Sequence, residues 1–472
     1  MYQIIQKKNM MRLRMALLLM AMLIMPFCLA GCHSEKNGES KTESGETESK
    51  TENGERESKT ESGEVTANGR ELKLAVVCES VGGKDKSWVE YLVYEFNKTH
   101  SDTPITLMPF GEEFASTDIP LAQLSVAIAS DDPPDLILLR NITDRLDALT
   151  IKGYLEDLTP YAEKSEVVHL EDYYPRVLEC GRKEGILVTI PKSFMIDTVI
   201  TSHNYFRGAT WTYPQLLDFC NTHPNSRFYA NTRPELLLAA LLRESIDYFV
   251  DEDQGKCHFD SEEFRTFLEY VGSYSAWASR TFDPVDPEDY ASALRDGKIL
   301  AEHFHVSNLV DLKDIRMDFG DEANFVGFPN KGGRPVYRVS MESSFSPFAV
   351  TSTSRNKEGA FQFIEWYLDL DENPVSHSDF LPLCANRKKM EEKIEMALAG
   401  REGYNDGEPD MTEEDLTTLR ILLEGLEPMP DDNDPLYKIV FAETKPYFTG
   451  DKTLDEVIDI IQNRATLYMN EK

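Results

Sequence analysis

The chain has 472 residues, 41% of them hydrophobic and 28% charged, so it can build sizeable cores and is too long for a single small one. Its 83 acidic residues outnumber 49 basic ones, which gives a formal charge of −34. A field of that sign repels phosphate backbones and excludes nucleic acid as a partner, while it leaves a neutral solute unaffected.

The N-terminal segment has the parts of a secretory signal. Basic residues between positions 7 and 14 precede an apolar run at 15–27. That run is shorter than the roughly 20 apolar residues that span a bilayer, and small residues follow it, as they do before a cleavage site. We therefore predict that residues 1–31 are a leader. It carries four basic residues and no acidic one, so its removal would take the formal charge to −38.

The predicted cleavage site has a specific form. The segment Leu29-Ala-Gly-Cys32 resembles the lipobox of bacterial lipoproteins, in which the cysteine receives lipid and becomes the first residue. A thiolate suits that reaction because it is a good nucleophile. The alternatives are a plain signal peptide with a chance cysteine, or an uncleaved anchor. We predict that Cys32 is lipidated and holds the protein at the outer face of the cell membrane.

Residues 32–70 are predicted to be a disordered polar tether. A nine-residue motif at 39–47 recurs with small changes from Glu48 and from Glu57, and almost no apolar residue occurs before Val65. Such a segment buries too little apolar surface to offset the entropy lost on ordering. As a flexible coil it would span about 35 Å, which is enough to hold a domain clear of the lipid headgroups.

From residue 71 to 190, short apolar runs alternate with amphipathic stretches. This alternation is typical of a parallel α/β sheet covered by helices. The predicted strands are 72–77, 105–108, 135–139 and 185–190, and the predicted helices lie around 88–96 and 121–129.

The rest of the chain mixes strands with longer helices. Thr212 and Gln215 have the spacing of a capping box, which predicts a helix start. Residues 251–255 resemble half of a calcium loop but lack its third ligand position and its closing glutamate, so we predict a turn. The remaining predictions are helices at 216–220, 235–248 and 356–370, strands at 299–306 and 325–328, a turn at 331–333 and a helical, charged segment from 411.

Seven cysteines reduce to five if Cys28 leaves with the leader and Cys32 is lipidated. The five show no Cys-x-x-Cys pair and no regular spacing, so neither a zinc site nor a disulfide framework is indicated. One disulfide bond is compatible with the sequence, but the pattern does not choose the pair. The five are Cys78, Cys180, Cys220, Cys257 and Cys384.

Eight short segments carry a family resemblance. They are FNKTH at 96–100, PPDLI at 133–137, KGYLEDLTP at 152–160 and the segments 211–213, 328–332, 357–364, 448–452 and 461–468. In this order the segments resemble the extracellular solute-binding proteins of ABC importers, family 1, the maltodextrin-binding-like branch. Each segment alone is mostly a helix start or a turn. Their order over nearly all of 71–472, together with the lipobox-like segment, carries the resemblance.

The resemblance implies an α/β, two-lobed fold of the periplasmic-binding-protein type II kind, with hinged lobes, a cleft between them and a helical C-terminal part. The implied first lobe is 71–190 plus 341–372, and the second is 191–340 plus 373–472. The implied function is a lipid-anchored extracellular receptor that binds a small solute, expected to be a mono- or oligosaccharide. It would deliver this solute to the permease subunits of an ABC transporter, and no cofactor is expected.

The predicted ligand contacts are polar and aromatic residues near strand ends, where such clefts bind their ligands. Sugars favour aromatic rings for their C–H faces and amides or carboxylates for their hydroxyls. Phe304 lies near the position where the family often carries a stacking tryptophan, and the missing tryptophan argues against a large oligosaccharide. Each residue alone also fits a structural role. The set is Glu79, Ser80, Asn141, Asp144, Ser193, Phe194, Phe304, His305, Glu342 and Phe345.

His303 and His305 share one face of a predicted strand, as two metal ligands would. A metal site needs a third ligand, and no residue with a recognisable spacing supplies one. We therefore predict no metal site.

Two other functions are compatible with the sequence. The same receptor could signal to a membrane partner instead of feeding an importer, or the chain could be a secreted carbohydrate-acting enzyme. Motifs of nucleophile elbows, zinc proteases, phosphate loops and dinucleotide sites are absent from the sequence, so we predict that it is not an enzyme. A carboxylate pair for glycoside hydrolysis depends on a separation in space that the sequence does not show.

Overall fold

The structure is a computed structural model, and all that follows concerns the residues it describes. These are 71–82, 87–112, 117–224, 226–230, 233–251, 254–274, 290–320, 323–332, 334–341, 347–370, 381–400, 408–430 and 434–471. The predicted leader, Cys32 and the tether lie outside them. Within these stretches, every helix is too short or too polar to cross a membrane.

Helices and strands alternate along the chain. The strands are β1 Leu72–Val77, β2 Ile105–Phe110, β3 Leu136–Leu138, β4 Arg182–Lys183, β5 Ile186–Leu187, β6 Ser193–Ser202, β7 Val250–Asp251, β8 Lys256–Cys257, β9 Ala301–Val306, β10 Ala323–Phe325, β11 Tyr337–Met341, β12 Phe348–Val350, β13 Leu383–Cys384 and β14 Leu426–Pro428. The α-helices are α1 Trp88–Thr99, α2 Asp118–Ile128, α3 Leu146–Ile151, α4 Thr159–Ala162, α5 Pro175–Cys180, α6 Tyr213–Thr222, α7 Pro234–Leu242, α8 Glu262–Ser273, α9 Tyr290–Arg295, α10 Leu309–Phe319, α11 Lys357–Asp369, α12 Arg387–Ala399, α13 Glu413–Glu424, α14 Pro435–Thr449 and α15 Leu454–Glu471. Short 3₁₀ helices lie at Thr143–Arg145, Leu170–Asp172 and Arg243–Phe249.

The first sheet has the strand order β12-β3-β1-β2. β1 runs parallel to β2 and β3, as the strand–helix alternation predicts, and β12 adds an antiparallel edge beside β3. The buried carboxylate of Asp135 fastens β3 to its neighbours, because it accepts hydrogen bonds from the Lys73 N–H (3.1 Å) and the Ser354 hydroxyl (2.6 Å). Because β1 and β3 run parallel, their carboxyl ends lie side by side.

The second sheet is built around β6, the ten-residue strand. β13 and β9 pair with one edge of β6, and β11 and β10 pair with the other, all antiparallel. β14 joins parallel to β11. The parallel arrangement predicted for residues 71–190 does not extend to this sheet, because its strands come from distant segments instead of consecutive strand–helix–strand units.

Side chains of β6 alternate between two cores. Phe194 and Ile196 face a core that the first sheet shares, whereas Val199 faces a second core rich in aromatic rings, among them Trp211 and Tyr213. Helices α14 and α15 pack onto the second core. Burying one such large side chain contributes about 1.5–3 kcal/mol to stability.

The predicted strand at 185–190 is instead a hairpin of β4 and β5. Glu184 and Gly185 connect these strands with φ values of +50° and +81°. Positive φ at both central residues is the geometry that matches the twist of a two-residue hairpin, and glycine adopts it without strain. The turn signal of Gly185 therefore outweighs the apolar run that follows it.

The other helix and strand predictions are confirmed in type, and all but the strand at 72–77 differ in length. The Thr212–Gln215 capping box forms, with Thr212 N–H donating to Gln215 Oε1 at 2.9 Å. The helix predicted at 235–248 ends at Leu242 and continues as a 3₁₀ helix, because buried Ser245 leaves helical geometry and shares a 2.9 Å hydrogen bond with the Tyr213 hydroxyl. Within the strand predicted at 325–328, only Phe325 lies in β10.

The five cysteines that follow the predicted tether are free thiols. Four of them are buried and Cys180 is half-buried. The disulfide bond that the sequence leaves open is therefore not formed.

Candidate functional site

Glu79 and Asn141, two of the predicted ligand contacts, meet at the carboxyl edge of the first sheet. Asn141 Nδ2 donates to Glu79 Oε1 at 3.0 Å and to the carbonyl oxygens of Val77 and Cys78 at 2.9 and 3.2 Å. These contacts follow from the parallel pairing of β1 with β3, which places the residues after both strands at one edge. Ser80, a third predicted contact, follows Glu79 in the chain and is exposed.

The backbone at this edge turns at Cys78, which adopts the left-handed conformation. Cys78 has φ +53°, a conformation that costs free energy in a residue with a Cβ atom. Because Asn141 binds the carbonyl groups of Val77 and Cys78, it holds the chain in this turn. Burial raises the pKa of the Cys78 thiol, and the Glu79 carboxylate raises it further. The thiol is therefore protonated at neutral pH and is a poor nucleophile.

Arg140 and Trp88 complete the group, which we call the strand-end cluster: Glu79, Trp88, Arg140 and Asn141. The Arg140 guanidinium lies 3.6 Å from the Glu79 carboxylate, and its Cζ atom lies 5.8 Å from the centre of the Trp88 ring. Trp88 Nε1 is buried and has no hydrogen-bond partner among the described residues. Carboxylate, amide, guanidinium and indole together suit a ligand with hydroxyl groups and an apolar face.

From the sequence, Trp88 is predicted only as part of the helix around 88–96, and Arg140 is not among the predicted contacts. The sequence nevertheless contains a feature that places Trp88 at this edge of the sheet. It is the first residue of α1, directly after the N-cap Ser87, whose capping box with Glu90 fixes the helix start. In an α/β sheet, helix starts lie at the same edge as the ends of the preceding strands, so Trp88 is placed beside Glu79.

A second polar cluster lies in the second sheet, and we call it the histidine–aspartate cluster: Asp197, His303 and His305. The antiparallel pairing of β6 with β9 places His305 opposite Asp197 and His303 opposite Val199, so all three side chains share one face. His303 Nε2 lies 3.2 Å from Asp197 Oδ1, and His305 Nδ1 contacts the same oxygen. Asp197 is 1% exposed, while the imidazoles of His303 and His305 are 18% and 26% exposed.

Burial and charge act in opposite directions on Asp197. Burial alone would raise the pKa of its carboxyl group, but the two adjacent imidazoles outweigh this and hold the pKa well below its usual range. Glu302, which lies on the opposite face of β9, has no such partner, and burial raises its pKa to about 8. Glu302 is therefore largely protonated at neutral pH.

Three other predicted contacts lie on the paired strands β6 and β9. Phe194 is fully buried, with its ring centre 5.8 Å from that of Tyr174, so the structure assigns it to the core instead of a ligand-facing surface. Ser193 is 2% exposed. Phe304 is half-buried, lies edge-on to Phe319 at 6.2 Å and packs against the same core, on the face of β9 opposite to His305.

The remaining predicted contacts are not placed by the structure. Glu342 and Phe345 lie outside the described residues. Asp144 lies in the 3₁₀ helix Thr143–Arg145, but its side chain lies outside the described part. These residues stay predictions.

Comparison with known families gives one match over most of the chain. Residues 92–397, well over half of the sequence, match the family described as bacterial extracellular solute-binding protein. A search of curated proteins finds no match.

Solved structures share the fold. An extracellular solute-binding protein of family 1 from Alicyclobacillus acidocaldarius has 15% identity and a TM-score of 0.52, over 86% of this chain and 99% of that one. The sugar-binding protein MalE from Xanthomonas citri has 14% identity and a TM-score of 0.52, over 85% of this chain and 98% of that one. At such identities the likeness shows the fold, which is a two-lobed, periplasmic-binding-protein-like α/β architecture.

Proposed function

The chain belongs to the bacterial extracellular solute-binding protein family, and on that premise we propose that it is a lipid-anchored receptor that captures a carbohydrate between its two lobes and delivers it to an ABC transporter. Members of this family are binding proteins rather than enzymes, and they act outside the cell or in the periplasm. The family match over 92–397 is the observation that carries the proposal. The likeness in fold to MalE, a sugar-binding protein, supports the ligand class.

The proposed lobes are 71–190 plus 341–372 and 191–340 plus 373–472. The two separate sheets support this division, since β1, β2, β3 and β12 form one and the strands paired around β6 form the other. A hinged pair of lobes captures a ligand by closing on it.

The strand-end cluster is the proposed ligand contact of the first lobe. The amide oxygen of exposed Asn141 and the Glu79 carboxylate offer acceptors to sugar hydroxyls, the Arg140 guanidinium offers donors, and the Trp88 ring offers an apolar face. Because Glu79, Arg140 and Asn141 already contact one another, these groups are oriented before a ligand arrives, which reduces the entropy lost on binding.

Thermal unfolding of the purified protein against a panel of monosaccharides, oligosaccharides and peptides tests this function. A ligand at 100 times its Kd adds about 2.7 kcal/mol to the free energy of unfolding, so a true ligand raises the unfolding temperature clearly. We expect a sugar to do so. A rise with peptides and with none of the sugars would contradict the proposed ligand class.

Lipid anchoring is tested by replacing Cys32 with Ser. Serine lacks the thiol that accepts the lipid, so we expect Cys32→Ser to appear in the medium or to accumulate as an uncleaved precursor, while the wild-type protein sediments with membranes. Fractionation and immunoblotting measure both the location and the size. A Cys32→Ser protein of mature size that stays on the membrane would show that Cys32 is not the anchor.

A further inference from the structure

We propose that Asp197, His303 and His305 form a binding site for a divalent transition-metal ion of the zinc type. The three side chains come from two neighbouring strands, β6 and β9, whose pairing fixes their relative positions. Their potential ligand atoms, one from each residue, all lie within 4.8 Å of one another.

The spacing of the ligand atoms fits a metal centre. Zinc binds imidazole nitrogen and carboxylate oxygen at about 2.0–2.2 Å, so two ligands in a tetrahedral site lie about 3.3 Å apart. His303 Nε2 and Asp197 Oδ1 are 3.2 Å apart. The antiparallel ladder holds the backbone of all three residues, so only small side-chain rotations are needed to complete the site.

The burial of the Asp197 carboxylate favours binding of a cation. Asp197 is 1% exposed, and apart from the two imidazole contacts neither of its oxygens has a hydrogen-bond partner among the described residues. A buried carboxylate is costly unless it is paired or coordinates a metal. The more exposed edges of His303 and His305 leave a path by which an ion reaches the site from solvent.

Two protonated histidines would be a poor substitute for a metal ion. The ring centres of His303 and His305 are 4.7 Å apart, so two imidazolium ions would repel each other there. A divalent ion removes this conflict because it binds neutral imidazoles together with the carboxylate. Arg338 on β11 lies opposite Asp197 in the strand register, and its guanidinium donates to the Pro428 carbonyl oxygen (3.4 Å) and to Asp247 (3.5 Å).

The donor set selects the class of ion. Two imidazoles with one carboxylate suit zinc and its first-row neighbours, whereas magnesium and calcium prefer oxygen ligands alone. Three protein ligands also leave a coordination position for water or another small ligand. Sequence spacing does not identify Asp197 as a third ligand, because Asp197 lies about a hundred residues before the histidines and is brought beside them only by the pairing of β6 with β9.

Titration of the full-length protein with ZnCl₂, after removal of metal with a chelator and without any sugar, tests the site. We expect calorimetry to show one bound Zn²⁺ per chain, with an unfolding temperature that rises with Zn²⁺ and not with Mg²⁺ or Ca²⁺. We expect His305→Gln to weaken zinc binding at least about tenfold, since even the loss of outer-shell partners costs 10- to 100-fold at metal sites. His223→Gln is the matched control, because His223 lies at the end of α6 outside the cluster, and it should bind zinc as the wild type does.

Two further measurements keep the result interpretable. The metal-free unfolding temperature of His305→Gln shows whether this variant still folds, and if it does not, His303→Gln replaces it. Visible absorption of the Co²⁺-loaded protein reports the coordination directly, and tetrahedral bands that are lost in the variant support the site. No zinc binding by the wild type, or equal affinity in a folded His305→Gln variant, would overturn the proposal. Neither outcome touches the carbohydrate function, which the sugar panel tests separately.

Discussion

Replacing Asp415 by Asn is expected to lower the free energy of unfolding by about 3 kcal/mol at pH 7, the scale of breaking a buried ion pair. Asp415 is 2% exposed, and its two oxygens accept from Arg316 Nε at 2.9 Å and Arg316 Nη2 at 3.1 Å. The same carboxylate accepts from the Thr412 N–H and hydroxyl, both at 2.8 Å, and so caps α13. Chemical denaturation at pH 7 measures the loss.

The pH dependence of this loss follows from the pKa of Asp415. Burial alone would raise that pKa, but the hydrogen bonds from Arg316 and Thr412 outweigh burial and lower it. A carboxyl group with a lowered pKa in the folded state stabilises the protein above its ordinary value near 4, and this stability is lost as the pH falls through the folded pKa. The gap between wild type and Asp415→Asn should therefore narrow below about pH 4.

Asp296→Asn is the matched control for Asp415→Asn. Asp296 also contacts a cation, Lys298 at 3.2 Å, but its side chain is 55% exposed. Exposed ion pairs contribute about 0–1 kcal/mol, so this variant should unfold nearly as the wild type does. Equal losses in the free energy of unfolding from both substitutions would show that burial does not make the Asp415–Arg316 pair more stabilising than an exposed pair.

Replacing Asn141 by Ala is expected to weaken the binding of the sugar ligand at least tenfold, which corresponds to about 1.4 kcal/mol. The substitution removes a proposed ligand contact. It also removes the donor that holds the carbonyl groups of Val77 and Cys78 and the carboxylate of Glu79 in place. Calorimetric titration with the sugar identified in the panel measures the change in Kd.

Asn97→Ala separates binding from stability in this experiment. Asn97 also anchors a strand of the first sheet, since it donates to the Ile105 carbonyl oxygen at 2.9 Å and accepts from the Ile105 N–H at 2.8 Å. These bonds lie at the amino end of β2, away from the strand-end cluster. Both variants should lose about 1–2 kcal/mol of stability, and only Asn141→Ala should lose affinity. If Asn97→Ala weakened binding as much, the effect of Asn141 would be one of stability alone.

The first sheet is largely predictable from the sequence, because short segments of the chain, each read by itself, indicate its parallel strands β1, β2 and β3. Each of β1, β2 and β3 is a short apolar run followed by a helix or a loop, and such units form parallel sheets. The meeting of Glu79 with Asn141 follows from the same rule, because residues after neighbouring parallel strands lie at one edge.

The second sheet is not predictable in the same way. Almost every residue of β6 is buried, so its side chains show no alternation of polar and apolar types. For this reason no strand is predicted at Ser193–Ser202 from the sequence. Its partners β9, β10 and β11 lie far along the chain, and no local pattern states which strands pair. For this reason Phe194 is predicted at a ligand-facing surface although it is buried, and Asp197 is missed entirely.

Small-angle X-ray scattering of the purified protein, with and without a saturating concentration of the sugar, tests most directly whether the ligand is captured between two lobes. Hinged lobes that close on a ligand bring their masses together, so we expect a smaller radius of gyration in the presence of the sugar. A non-binding sugar at the same concentration should leave the scattering curve unchanged. If calorimetry shows the sugar to be bound and the radius of gyration is the same with and without it, capture between closing lobes is contradicted.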